Sequence, residues 1–200
     1  RGRCRRCGAR FSFRYFFTEL TSALIWAAFW LLYGFSPWTA AGIVFFSLLL
    51  AVSVTDIETG YIPDMFTLPG AGAAWALSTV FPELHGKTVW YEGLGASTLG
   101  FLAGGLILVA TALIGNLIYK KESMGGGDVK LLAMIGAFAG TKMAVMTFFM
   151  APILSLPLAF FVRVIKKEET IPFGPFLALS GAVAFLHGRA IFEYLFPYYG

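Results

Sequence analysis

The chain has 200 residues, of which 58% are hydrophobic and only 13% charged, with a mean hydropathy of +0.76 and a formal charge of +4. A soluble domain averages about 25% charged residues, so there is too little polar surface here to cover a water-soluble globule. The apolar residues fall in helix-length runs rather than alternating strands, which argues against a membrane β-barrel and for an all-α, polytopic transmembrane bundle.

The N-terminus reads RGRCRRCGAR, a basic run with no initiator Met and no signal-peptide pattern. It is expected to be the remnant of a cytosolic loop (1–16) from a longer, N-terminally truncated protein. Cys4 and Cys7 form one C-x-x-C pair. Such a pair supplies half of a tetrahedral zinc site, which needs four ligands; two reduced cytosolic thiols are the alternative.

Seven apolar segments follow, at 17–33, 38–54, 65–81, 94–118, 129–139, 143–162 and 173–196, and together they make one bundle over 17–200. The fifth is short and rich in Gly and Ala. Either it is packed inside the bundle, or it joins the sixth through the weak break at Gly140, Thr141 and Lys142. Trp and Tyr gather near segment ends, where their amphipathic rings favour the interface.

Lys and Arg in the short loops set the orientation. With the N-terminus in the cytosol, twelve of the fifteen basic residues fall on the cytosolic side, leaving Lys87, Lys142 and Arg189 on or toward the other. Two cytosolic loops result, 55–64 (TDIETGYIPD) and 119–130 (YKKESMGGGDVK). Each carries an acid beside an apolar helix: Asp56 after FFSLLLAVSV, and Asp128 before VKLLAMIGAFAG.

Acids at a membrane boundary are costly unless they are solvated, capping or functional. Asp128 reads most simply as an N-cap for a helix starting at Val129, and Asp56 as a solvated helix-end acid. Gly125, Gly126 and Gly127 weigh against that. A run without Cβ atoms can take positive φ, and it lets another backbone approach closely. Two carboxylates brought close share a proton, so that one serves as general base on water and the other as general acid.

Gly125-Gly126-Gly127-Asp128 fits the G-x-G-D signature of intramembrane aspartyl proteases. The longer string GGGDVKLLAMIGAF resembles the type IV prepilin peptidases, as does Asp56 followed by Ile62-Pro63-Asp64. RGRCRRCGARFSFRYFFTEL resembles the cytosolic loop and helix entry of that family, and IPFGPFLALSGAVAF resembles its last span. The four blocks occur in order over nearly the whole chain.

The resemblance implies a peptidase in the bacterial inner membrane that removes a basic leader from prepilins and pseudopilins at the cytosolic face. It assigns catalysis to Asp56 and Asp128, with no cofactor needed for proteolysis. It also implies N-methylation of the new terminus with S-adenosylmethionine, and a second cysteine pair upstream completing a zinc site with Cys4 and Cys7. Seven segments against the family's usual eight fit the loss of one N-terminal span, so the methyl-transfer half is expected to be incomplete in this fragment.

Glu58 and Asp64 share the first loop but not the matched catalytic position, and Asp64 after Pro63 reads as an N-cap of the third segment. Lys130, close to Asp128, reads either as a positive-inside anchor or as a cation acting on that acid or on substrate. Lys166, Lys167, Glu168 and Glu169 read as a solvated loop, and His85, His187 and Arg189 as structural or interfacial residues. No H-E-x-x-H, P-loop or Ser-His pairing appears, and nothing points to nucleic acid. A proton-relay transporter would need polar residues along a path and two matching halves, and neither is evident. A scaffold without chemistry would leave the glycines beside Asp128 unexplained.

Overall fold

All seven apolar segments form helices in the computed structural model, which describes residues 12–120, 125–161 and 172–195. These are α1 (Phe13–Tyr33), α2 (Pro37–Thr59), α3 (Asp64–Val80), α4 (Trp90–Tyr119), α5 (Gly126–Ala139), α6 (Thr141–Phe161) and α7 (Gly174–Leu195). A short 3₁₀ turn, Pro82–His85, leads from α3 toward α4. No strand occurs among the described residues.

Local chemistry explains the helix ends. Ser36 caps α2 through a bond from Thr39 N, with Pro37 in the first turn where its missing N–H costs nothing. Gly60 ends α2 in the left-handed conformation at φ 66°, and its N–H bonds the Asp56 carbonyl at 2.8 Å. Helix α2 therefore runs five residues past the predicted segment, and Asp56 lies in its last turn rather than in a loop. Helix α1 likewise starts at Phe13, so residues 13–16 are helical rather than loop. At Gly140, φ of 85° breaks the chain between α5 and α6, which settles the fifth segment as a separate helix.

Helix α5 is the axis of the bundle. Its residues 131–138 are all buried, enclosed by α3, α4, α6 and α7. The tightest approach is to α4, where a Cβ at Gly100 or Gly104 would run into the backbone of Gly136 or Leu132. Ser97 adds a hydrogen bond from its Oγ to the Ala137 carbonyl at 2.8 Å. Small residues that let backbones touch, with a polar cross-link, are how helices associate where lipid is as apolar as leucine. Phe45 stacks between Phe138 and Phe185, at 4.9 and 5.0 Å between ring centroids, and closes the core between α2, α5 and α7.

The outer surface suits a bilayer. Leu24, Leu31, Leu106, Leu113, Leu117, Phe149 and Ile153 are exposed around the bundle. Three helices, α1, α2 and the 90–118 stretch of α4, are long and apolar enough to cross a membrane, and the apolar parts of α6 and α7 are shorter. The protein is thus an all-α, multi-pass membrane bundle. Its antiparallel succession brings the end of α2 and the starts of α3, α5 and α7 to one end.

Candidate active site

At that shared end, α2 delivers Asp56 into a buried position, with only 6% of the residue exposed. Its carboxylate Oδ2 accepts a hydrogen bond at 2.9 Å from the backbone N–H of Gly174, the first residue of α7. The first N–H groups of a helix have no partner within it, and they carry the positive end of its dipole. An acid from α2 thus completes the start of α7. The contact demands glycine, because a Cβ on residue 174 would sit 2.7 Å from Asp56 Oδ2 and 3.1 Å from Ile62 Cδ1.

Asp128 stands in the first turn of α5 and is partly buried. The structure corrects its reading as an N-cap. The helix starts at Gly126, the cap is Gly125, and no side-chain capping bond is made. The Asp128 carboxylate is therefore not consumed by its own helix, and it lies within electrostatic reach of Asp56. Of the two uses open to the glycines beside it, positive φ and close approach, the second is seen. None takes positive φ, and Gly125 is extended at φ −71°. The need for glycine lies in close approach at Gly127, where a Cβ would stand 2.8 Å from Ile62 Cβ. Gly125 and Gly126 leave the approach to Asp128 open, with nothing near a Cβ on Gly126.

Ile62, only 4% exposed, is wedged between Gly127 and Gly174. One apolar side chain from the α2–α3 connection therefore spaces the start of α5 from the start of α7, and so spaces the two acids those starts carry or hold. The sequence marked Ile62 and Gly174 as parts of longer motifs but not as contacts of the acids. The signal for Gly174 was present in Gly174-Pro175, since Pro in the first turn announces a helix start and a helix start is an anion site.

Two further described acids of this end, Asp64 and Glu58, have other partners. Asp64 is the first residue of α3, behind a Pro63 cap, and does not cap the helix itself. Lys130 Nζ contacts both Asp64 oxygens, at 2.6 and 2.7 Å. Of the two readings of Lys130, an anchor or a cation acting on Asp128, the second does not hold: its partner is Asp64. Glu58 faces Arg14 of α1 at 3.6 Å. Among the described residues, no group of three or more His, Cys, Asp or Glu is arranged to hold a metal. Cys4, Cys7 and the 166–169 charge run lie outside the described residues.

His85 sits at the opposite end, between Ser78 Oγ, 2.9 Å from its Nε2, and the backbone of Ala137. A cavity of ≈ 670 Å³ opens beside it, lined by Trp38, Phe138, Lys142, Phe185 and Phe192 among others. His187 is exposed on α7.

Residues 43–160 match the type IV leader peptidase family, and residues 1–33 match the bacterial N-terminal domain that accompanies it. This chain belongs to the type IV leader peptidase family. Among its relatives, the prepilin leader peptidase/N-methyltransferase of Bacillus subtilis is 34% identical over 97% of this chain and 74% of its own length. The protein of that name from Burkholderia pseudomallei is 33% identical over 96% of this chain and 60% of its own. That from Dichelobacter nodosus is 34% identical over the full chain and 66% of its own length. The chain thus spans between about three fifths and three quarters of these leader peptidases. No solved structure matches it.

Proposed function

We propose that this chain is the aspartic peptidase bundle of a prepilin leader peptidase, and that Asp56 and Asp128 are its catalytic pair. The observation that carries the reading is the contrast between the two acids. Asp56 is buried and held by the Gly174 N–H, and Asp128 lies within its electrostatic reach, without a capping bond, beside exposed Gly125 and Gly126.

The chemistry follows from that contrast. A carboxylate that accepts a backbone N–H at a helix start is complemented as an anion, so Asp56 is the general base. Asp128, with no such donor, carries the proton that two neighbouring acids share. Water between them gives a proton to Asp56 and attacks the peptide carbonyl carbon. Asp128 first hydrogen-bonds and protonates the carbonyl oxygen of the tetrahedral intermediate. Collapse then breaks the C–N bond: the departing nitrogen takes the proton held on Asp56, and one hydroxyl of the intermediate returns a proton to Asp128 as the product carboxyl forms. One water is consumed, and each acid ends able to reset by proton exchange.

The substrate on this reading is a prepilin or pseudopilin, a polar basic leader followed by an apolar helix. A pair placed at the end of α2 and the start of α5 meets that junction where water is available, while the apolar helix stays in lipid. The loop-charge bias supports a cytosolic setting for this end, and the family resemblance implies the bacterial inner membrane. The N-methyltransferase in the relatives' names implies S-adenosylmethionine as methyl donor. We assign Asp56 and Asp128 no part in that transfer. Cys4 and Cys7 remain half of a proposed zinc site in the full-length protein.

The test is cleavage of a prepilin-type peptide by the chain in detergent or proteoliposomes, comparing wild type with Asp56→Asn and Asp128→Asn. Each substitution keeps the side-chain shape and removes the acid. Near-normal turnover in either variant would overturn the assignment.

A further inference from the structure

The proposed catalysis makes no use of the Lys130–Asp64 contact at the active end. Lys130 lies two residues beyond Asp128, in the same first helical turn, and Asp64 lies eight residues beyond Asp56, at the first position of α3. Their contact uses both carboxylate oxygens, at 2.6 and 2.7 Å, and joins elements 66 residues apart in sequence. Both side chains are about half exposed, at 40% and 45%. An ion pair with that exposure contributes little to global stability, so its effect is expected in geometry.

That geometry is specific. The α2–α3 connection carries Asp56 at one end and Asp64 at the other, with Ile62 pressed against Gly127 and Gly174 between them. The pair therefore ties the start of α5 to the far end of the same segment whose near end holds Asp56. On the entrance side, Gly125 and Gly126 are exposed and bring no side chain to that first turn.

We propose that Lys130 and Asp64 are positioning residues, an ionic clasp that fixes the first turn of α5 against the start of α3 and so sets where Asp128 stands relative to Asp56. This rests on the reading of Asp56 and Asp128 as the reacting pair. Small displacements of reacting groups cost large factors in rate, so cutting the clasp lowers kcat rather than raising KM.

The experiment measures kcat and KM for Lys130→Met, Asp64→Asn, Lys130→Arg and the charge-swapped double variant Lys130→Asp/Asp64→Lys on a prepilin-type peptide. The two single cuts lower kcat about 10- to 100-fold, with KM within about twofold. Lys130→Arg stays close to wild type, and the swap recovers most of the loss. A second readout needs no catalysis. Cysteines at Tyr61 and Gly126, neighbours of the touching pair Ile62 and Gly127, are cross-linked and the linked peptides read by mass spectrometry. Cutting the clasp slows this link several-fold, and the swap restores it.

An unchanged kcat in the single cuts, a rise in KM alone, or a swap no better than its additive parts overturns the clasp. If cross-linking responds to the clasp but Asp56→Asn still cleaves, the dyad reading has failed and the clasp survives as a structural tie. If Asp56→Asn is inactive and cross-linking ignores the clasp, the clasp has failed alone.

Discussion

The two ends of this bundle handle buried polar groups in opposite ways. At the end opposite the acids, His85 Nε2 is hydrogen-bonded to Ser78 Oγ at 2.9 Å, and Ser97 Oγ donates to the Ala137 carbonyl at 2.8 Å. These bonds tie α3 to the 3₁₀ turn and α4 to the end of α5. At the other end, Asp56 accepts one backbone N–H, and Asp128 is not used as a cap at all. A satisfied polar cluster rigidifies a fold, whereas acids with unused capacity beside an open glycine entrance are available to water and to a peptide. The comparison separates a structural histidine from the proposed catalytic acids without reference to any relative.

The sharpest way to break that comparison is to remove the acids. Asp56→Asn or Asp128→Asn should each lower kcat by about 10³-fold or more, with the melting temperature in detergent close to wild type. A variant that lost fold and activity together would place the acids with the structural group.

The next largest effect is expected at Gly174. Gly174→Ala forces a Cβ into the space of Asp56 Oδ2 and Ile62 Cδ1, and should displace both the carboxylate and the start of α7. An activity loss of about 10²-fold with destabilisation of about 1–3 kcal/mol is the expected outcome, measured by peptide cleavage and thermal melting. Retention of wild-type kcat would show that the N–H contact does not orient the base.

Gly136→Val tests the axis common to both ends. Its side chain would meet the backbone of Gly100, so a loss of about 1–3 kcal/mol or outright failure to assemble is expected from overpacking, read from melting and from monodispersity.

His85→Ala should have the smallest effect: a loss of about 1–2 kcal/mol from the orphaned Ser78 hydroxyl, with kcat unchanged. Burial holds the His85 imidazole below its ordinary value of 6.5, so the folded state prefers the neutral ring. Its contribution is therefore complete above pH 6.5 and declines as pH falls below it through the depressed folded-state value. The wild-type melting temperature should drop more steeply between pH 7 and 5 than that of His85→Ala. Equal slopes would show that the ring is not buried neutral.

Much of this was legible in the residues. Composition and run length dictated an all-α membrane bundle, because a chain this poor in charge can hide its backbone polar groups only in helices. The seven apolar runs became the seven helices, and GGGD together with Asp56 drew attention to the end where the acids stand. Boundary polarity could not reveal that Asp56 lies inside α2, because a helix end is decided by where the left-handed Gly60 falls. Between the two uses the sequence left open for Gly125 to Gly127, positive φ and close approach, only the structure could choose. Glycine answers equally to backbone conformation and to close approach, and only the position of Ile62 shows that approach is what matters at Gly127.

Sequence alone determined the medium, the helical class and which acids sit at a boundary, since those follow from local hydropathy and short-range chemistry. The tertiary structure decided the partners. Lys130 reaches Asp64 rather than Asp128, α5 becomes the buried axis, and the Gly174 N–H meets Asp56 across 118 residues of chain. Those contacts depend on how helix starts and ends are brought to a common plane, which no local pattern in the sequence encodes.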